Sequence, residues 1–152
     1  MFAIYNPFRT PQYVVSASSG DYSRTGSTGL TYATNLEVTV TSHGGVIHLG
    51  LFSDGSGNRG YVSLDEEGEI TTFGRLNLHR NGVAIDEQDF GVITTGSGST
   101  LSIGAYPLGG FRWFDSGTIA GSSYTYKVEV AVQNANYTLR IKYAKLFAHE
   151  IF

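Results

Sequence analysis

From Tyr124 to Val132 the chain alternates without a break. Tyr124, Tyr126, Val128, Val130 and Val132 share one face, and Thr125, Lys127, Glu129 and Ala131 share the other. A period of two marks a strand with one buried side. Asn35–Ser42 repeats the pattern, with Leu36, Val38 and Val40 inward. Val46–Phe52 departs from it. Ile47, Leu49 and Leu51 point one way, Val46, His48, Gly50 and Phe52 the other, and both faces are nearly apolar. An outer strand face of a two-layer sandwich is normally wet, so something is expected to cover this one.

Turn residues divide the remainder. Gln12–Ala17 reads as a first strand, Ser18–Gly29 as a loop with at most a short pairing, and Asp54–Asn58 as a turn. Tyr61–Leu64 is a strand leading into an acidic loop, Asp65–Glu69. Asn81-Gly82 between Leu76/Leu78 and Val83/Ile85 predicts a hairpin with a type I′ turn. Asp89–Thr94, Leu101–Ala105 and Phe111–Phe114 are short strands. In Tyr137–Ile151 the phase changes between Tyr143 and Leu146, which predicts a bulge near Ala144–Lys145. No helix-period segment interrupts these. The sum is about ten strands, an all-β antiparallel sandwich of jelly-roll kind. Residues 1–12, with Phe2, Ile4, Tyr5 and Phe8 between Pro7 and Pro11, read as an extended arm before one domain, 13–152.

Charged residues are 15% of the chain, the net charge is −3, and there is no cysteine. Disulfides and thiolate metal sites are excluded, and a nucleic-acid binder with a basic face is disfavoured. The scarcity of charge leaves room for surface hidden against other subunits. The opening residues lack a basic leader region, and no run reaches the ~20 apolar residues of a membrane helix.

Candidate chemistry is sparse, and no enzyme, cofactor or metal is expected. Asp54–Asp65 imitates a calcium loop but has Arg59 where glycine is required. The cluster Asp65, Glu66, Glu67 and Glu69 reads as a solvated turn. No pair among His43, His48, His79 and His149 has the spacing of a helical metal motif. His48 is the notable one, since it lies on the doubly apolar strand. No phosphate loop or nucleophile elbow occurs. Phe111–Phe114 around Trp113 offers either a contact patch or an ordinary strand with alternate residues in the core.

Four stretches occur in order: Asn35–Leu51 with its "NLEVTVTSHGGVIHLGL", the hairpin Arg80–Ile85, Asp115–Lys127 with "AGSSYTYK", and Tyr137–Ile151. Together they resemble the globular tip domain of phage fibres and related bacterial trimeric fibres, from about Val14 to the end. That resemblance implies a tumour-necrosis-factor-like jelly roll, similar to complement globular heads, that assembles as a homotrimer. Fibre proteins place this domain after a long shaft; here about a dozen residues precede it, so either the chain is a fragment of a longer fibre or the knob attaches directly to a larger particle through the arm.

The expectation is therefore a non-enzymatic virion protein of a phage, assembled in the host cytoplasm and displayed on the particle surface. As a knob it would contact host saccharide through loops, with Ser56, Asn58, Arg59, Arg112 and Trp113 as candidates beside Glu66–Glu69, Gly96–Thr100 and Tyr106–Gly110. Val46, His48, Phe52, Tyr143, Leu146 and Phe152 are the candidate trimer contacts. Phe2, Ile4, Tyr5 and Phe8 are the candidate anchor to other capsid or tail proteins. The alternative is a trimeric cement or decoration protein that stabilises a shell through the same arm. Neither nucleic acid nor membrane insertion is expected.

Overall fold

The computed structural model describes residues 12–16, 20–25, 31–67, 72–92, 101–132 and 138–152. The anchor candidates Phe2, Ile4, Tyr5 and Phe8 and the turn Gly96–Thr100 lie outside the described residues.

Among the described residues the chain forms eleven strands: β1 (Tyr13–Val15), β2 (Gly20–Thr25), β3 (Thr31–Thr41), β4 (Val46–Ser53), β5 (Tyr61–Glu67), β6 (Thr72–Arg80), β7 (Val83–Val92), β8 (Leu101–Pro107), β9 (Arg112–Asp115), β10 (Ser123–Val132) and β11 (Thr138–Ile151). Several lie end to end. β1 and β2 follow one edge of β11, from Tyr13 opposite His149 to Thr25 opposite Thr138. β4 and β5 follow its other edge, from Val46 opposite Ile151 to Asp65 opposite Thr138. β8 and β9, joined by the 3₁₀ turn Leu108–Gly110, flank β5 and β4.

The seven-stranded sheet is thus four lines of strand: β1/β2, β11, β4/β5 and β8/β9. The second sheet runs β3-β10-β6-β7. Numbered along the chain, the lines stand in the orders 1-8-3-6 and 2-7-4-5. Every connection crosses between sheets except the β6–β7 hairpin. That is a jelly-roll order, and all pairings are antiparallel.

The four-line sheet is creased at one level. In β11 the register shifts between Ile141 and Ala144, and Tyr143 sits there at φ 50°, a bulge conformation uncommon for a non-glycine residue. Opposite it, Asp54–Gly60 interrupt β4/β5, and the 3₁₀ turn interrupts β8/β9. The bulge lies a residue or two before its expected place. It keeps Leu139 and Ile141 on the core side before it, and Ala144, Leu146 and Ala148 there after it.

The core fills the space between the sheets. Leu36, Val38, Val40, Leu76, Leu78 and the even-numbered residues of β10 from Tyr126 meet Ile47, Leu49, Leu51, Trp113 and the inward side of β11. Asn81 (φ 50°) and Gly82 (φ 83°) form the expected two-residue turn, both at positive φ. Three expectations change. Gly20–Thr25 is a strand because β11 offers it an edge. The acidic loop begins later, since β8 pairs Asp65, Glu66 and Glu67. Val83–Val92 is one strand rather than two pieces, held along β6.

Strand directions sort the connections. Residues 42–45, 81–82 and 116–122, with Gln12 and Phe152, lie at one end. The strand ends at Thr25, Thr31, Glu67, Thr72, Val92, Leu101, Val132 and Thr138 lie at the other.

Candidate functional site

Two buried carboxylates tie the first end together. Asp115 on β9 accepts hydrogen bonds from Arg80 Nη1 (2.9 Å), the Tyr126 hydroxyl (2.8 Å) and the Gly117 backbone N–H (2.9 Å). It thereby joins β9 of one sheet to β6 and β10 of the other. Burial, and then this hydrogen bond, push the Tyr126 hydroxyl well above the ordinary tyrosine pKa. Glu150, fully buried, accepts from the backbone N–H groups of His43 (2.7 Å) and Gly45 (3.0 Å) and from the Ser42 hydroxyl (3.1 Å). Both oxygens of Asp115 and Oε1 of Glu150 are spent on the scaffold, and Glu150 Oε2 lies 3.2 Å from His43 Nδ1. The Asp115…Tyr126 part of the quoted stretch is therefore structural, and no acid pair is set in a cleft there.

The outer faces of the two sheets differ in kind. That of β3-β10-β6-β7 is polar. Lys127 pairs with Glu37 (2.7 Å), His79 with Glu129 (2.6 Å), and Arg75 with Glu87 (3.1 Å) and Asp89. Thr39 and Thr125 share a hydrogen bond of 3.0 Å. The face is polar throughout, wet at its margins, with Asn77, His79 and Glu129 buried along its middle.

The four-line sheet is aromatic on its half nearest the termini. The imidazole of His48 lies parallel to the Phe114 ring, centroids 4.6 Å apart at 9°, and stands edge-on to Phe147 at 5.2 Å. Phe147 meets Phe52 at 5.8 Å and Tyr13 at 6.1 Å, and Tyr13 reaches His149 at 6.1 Å. These six rings form one strip across β9, β4, β11 and β1. Phe114 is 61% and Tyr13 58% exposed. Gly50 makes the centre possible, because a Cβ there would come 2.7 Å from the Phe147 ring. The His48 Nε2 is walled in and finds no hydrogen-bond partner. Burial, then the nearby Arg112 and His149, hold the His48 pKa below the ordinary value.

The contact candidates read from the sequence divide accordingly. Val46, His48 and Phe52 lie half-buried on this outer face. Tyr143 is the bulge residue at its border. Phe152, 61% exposed, stacks near His43 at the end (6.5 Å). Leu146 is 0% exposed and points into the core, because the bulge precedes it; it cannot touch another copy. Trp113 is likewise 0% exposed, since β9 turns Phe111, Trp113 and Asp115 inward; it cannot touch a receptor. Arg112 and Phe114 are the exposed residues of that strand.

Ser56, Asn58 and Arg59 are exposed, but not at either end of the sandwich. Ser53 opposes Ala144 and Tyr61 opposes Lys142, so the seven residues between them face a single residue, Tyr143. With strands on both sides and the core beneath, the loop leaves the sheet outward. Asp54 Oδ1 accepts from the Ser56 N–H (2.9 Å), and the Asp54 N–H donates to the Tyr143 carbonyl (2.8 Å). This polar loop stands beside the aromatic strip. Sequence reading missed Phe147, His149 and Tyr13. Among the described residues no cluster of three metal-ligating side chains occurs.

A groove of about 410 Å³ opens along the sandwich edge between β7 and the β8 turn. Phe90, Tyr106 and Phe111 line it, with Gln88 and Asp89 at its rim.

No protein-family model matches the sequence, and no curated protein matches it. Solved structures with some likeness include an infectious bursal disease virus structure, Gt strain (10% identity over 93% of this chain and 38% of that one, TM-score 0.41). The T13 viral particle of the same virus is another (9% over 92% and 35%, TM-score 0.41). Dimeric latent PorU from Porphyromonas gingivalis is a third (8% over 92% and 13%, TM-score 0.39). The chain spans little more than a third of the viral chains. At that depth the likeness has no bearing on role, and the strand order above stands by itself.

Proposed function

We propose that this protein is a non-enzymatic structural component of a phage virion, a homotrimeric jelly-roll knob whose copies close over the aromatic strip. The observation that carries the reading is the strip itself: six contiguous rings on a sheet face, two of them more than half exposed. Lone soluble domains rarely leave such a patch open, and a closed ring of copies hides it. Sedimentation at micromolar concentration tests it; a monomer there would remove the reading.

Gln12, where residues 1–12 enter, is held at the first end: its carbonyl accepts from the Glu150 N–H (3.0 Å), and its side chain lies 3.2 Å from His43 Nε2. The segments linking β2 to β3, β5 to β6, β7 to β8 and β10 to β11 read "GSTGL", "GEIT", "ITTGSGST" and "QNANY", rich in hydroxyl and amide groups with Glu69 the one charge. Such loops on a rigid β scaffold suit neutral saccharide on a host surface. A glycan array carrying the host's polysaccharides tests this part, and a blank array would overturn it.

A second reading, a shell cement or decoration protein, has one feature in its favour: the apolar arm enters beside the buried Glu150 clamp, a firm base for an anchor. Removing residues 1–12 separates attachment from recognition. A knob that still trimerises but no longer joins the particle has lost its anchor, and whether capsid or tail lacks it then decides between the readings.

A further inference from the structure

We propose that His48 makes association of copies through the aromatic strip acid-labile, so that proton uptake on its imidazole opens the assembly. The inference rests on the trimer reading above and adds its regulation.

His48 and His149 stand directly opposite each other on neighbouring strands, both on the outer face. Arg112 stands one pair further along, opposite Gly50, and Lys145 lies on the same side of β11. β1 contributes Tyr13, and β4 itself contributes Val46, Gly50 and Phe52, none of them ionisable apart from the tyrosine. The carboxylates of these strands, Asp115 and Glu150, are both buried on the inward side, Asp115 against Arg80 and Glu150 against the turn at residues 42–45. Among the described residues no counter-ion therefore faces His48 from any of the four lines on this half. Its Nε2 is enclosed between the rings of Phe114 and Phe147 with no acceptor in reach. A proton placed there meets cations and apolar rings, and a charge buried without a partner is strongly disfavoured. A second copy lying over the strip adds desolvation, and three copies multiply it.

The sign follows from the direction of the shift. The His48 pKa is held below its ordinary 6.5. The neutral ring is favoured in the buried state. That lowering is already present in the lone copy, and covering the strip desolvates the ring further, so association is complete above the lone copy's lowered value and weakens as the pH falls below it. Each copy takes up at most one proton on release. The dissociation constant therefore rises by up to about tenfold per copy per pH unit, or up to about a thousandfold for three.

The test is sedimentation velocity of the full chain at pH 8 and pH 5, with far-ultraviolet circular dichroism alongside. The expected result is a trimer at pH 8 and smaller species at pH 5 with the β-sheet signal intact. His48→Phe, which keeps a stacked ring, and His48→Gln, which stays neutral, should remain assembled at pH 5. A wild type assembled at both pH values overturns the switch and leaves the trimer standing. So does dissociation of both variants in step with wild type, or loss of the β-sheet signal together with dissociation. A wild type already monomeric at pH 8 overturns the trimer reading, and the switch with it.

Discussion

The Phe147 ring reaches over Gly50, its partner across the β4–β11 ladder, so closely that any Cβ at position 50 would touch its far edge. The glycine is the floor on which the aromatic strip is laid. Gly50→Ala is expected to push the Phe147 ring outward rather than break the sheet, because the atom in the way is the far end of a side chain. The cost to the lone fold is about 1 kcal/mol by urea denaturation, while sedimentation should show weakened association.

Phe114 and Leu146 should give opposite results. Phe114→Glu removes an exposed ring and is expected to cost the fold no more than about 1 kcal/mol, yet to abolish assembly at micromolar concentration. Leu146→Ala empties core space and should cost about 2–5 kcal/mol in chemical denaturation. Were Phe114→Glu to stay trimeric, the strip would not be the interface.

The Tyr126 hydroxyl joins the two sheets through Asp115. Tyr126→Phe should cost about 1–2 kcal/mol, since Asp115 keeps Arg80 and Gly117 as donors. A pH effect accompanies it. Burial, then the Asp115 bond, raise the Tyr126 pKa above its ordinary 10.0. The protonated form is favoured in the fold, so this contribution is complete below pH 10 and is lost as the pH rises beyond it. Denaturation midpoints measured from pH 8 to 11.5 should fall more steeply for wild type than for Tyr126→Phe.

Glu150 organises the turn at residues 42–45 by accepting two backbone N–H groups and a hydroxyl. Glu150→Leu leaves those donors buried without an acceptor, and a loss of about 2–4 kcal/mol is expected. Amide hydrogen exchange at His43 and Gly45 should accelerate first.

Much of this architecture is written in local alternation. Asn35–Ser42, Val46–Phe52 and Tyr124–Val132 each announce a strand and its inward face, and Asn81-Gly82 announces its turn. Two kinds of fact escape that reading. One is parity where a short strand offers two plausible faces. Around Trp113 either set of alternate residues could enter the core, and only the partners of Asp115, across the sandwich, fix the choice. The other is the joining of distant strands. Tyr13, His48, Phe114, Phe147 and His149 come together through pairings of residues up to 136 positions apart, as between Tyr13 and His149. No window along the chain contains them. β2 was hidden for a related reason: "GDYSRT" has little apolar pattern of its own and is a strand because β11 gives it an edge.

The hydrogen bond from the Glu150 N–H to the Gln12 carbonyl has a topological corollary. It brings the entrance to the first strand alongside the last one, so a short linker between the two would leave each ladder in place. A circularly permuted chain, opened instead between β7 and β8, should fold to the same sandwich with its new termini leading from Val92 and Leu101.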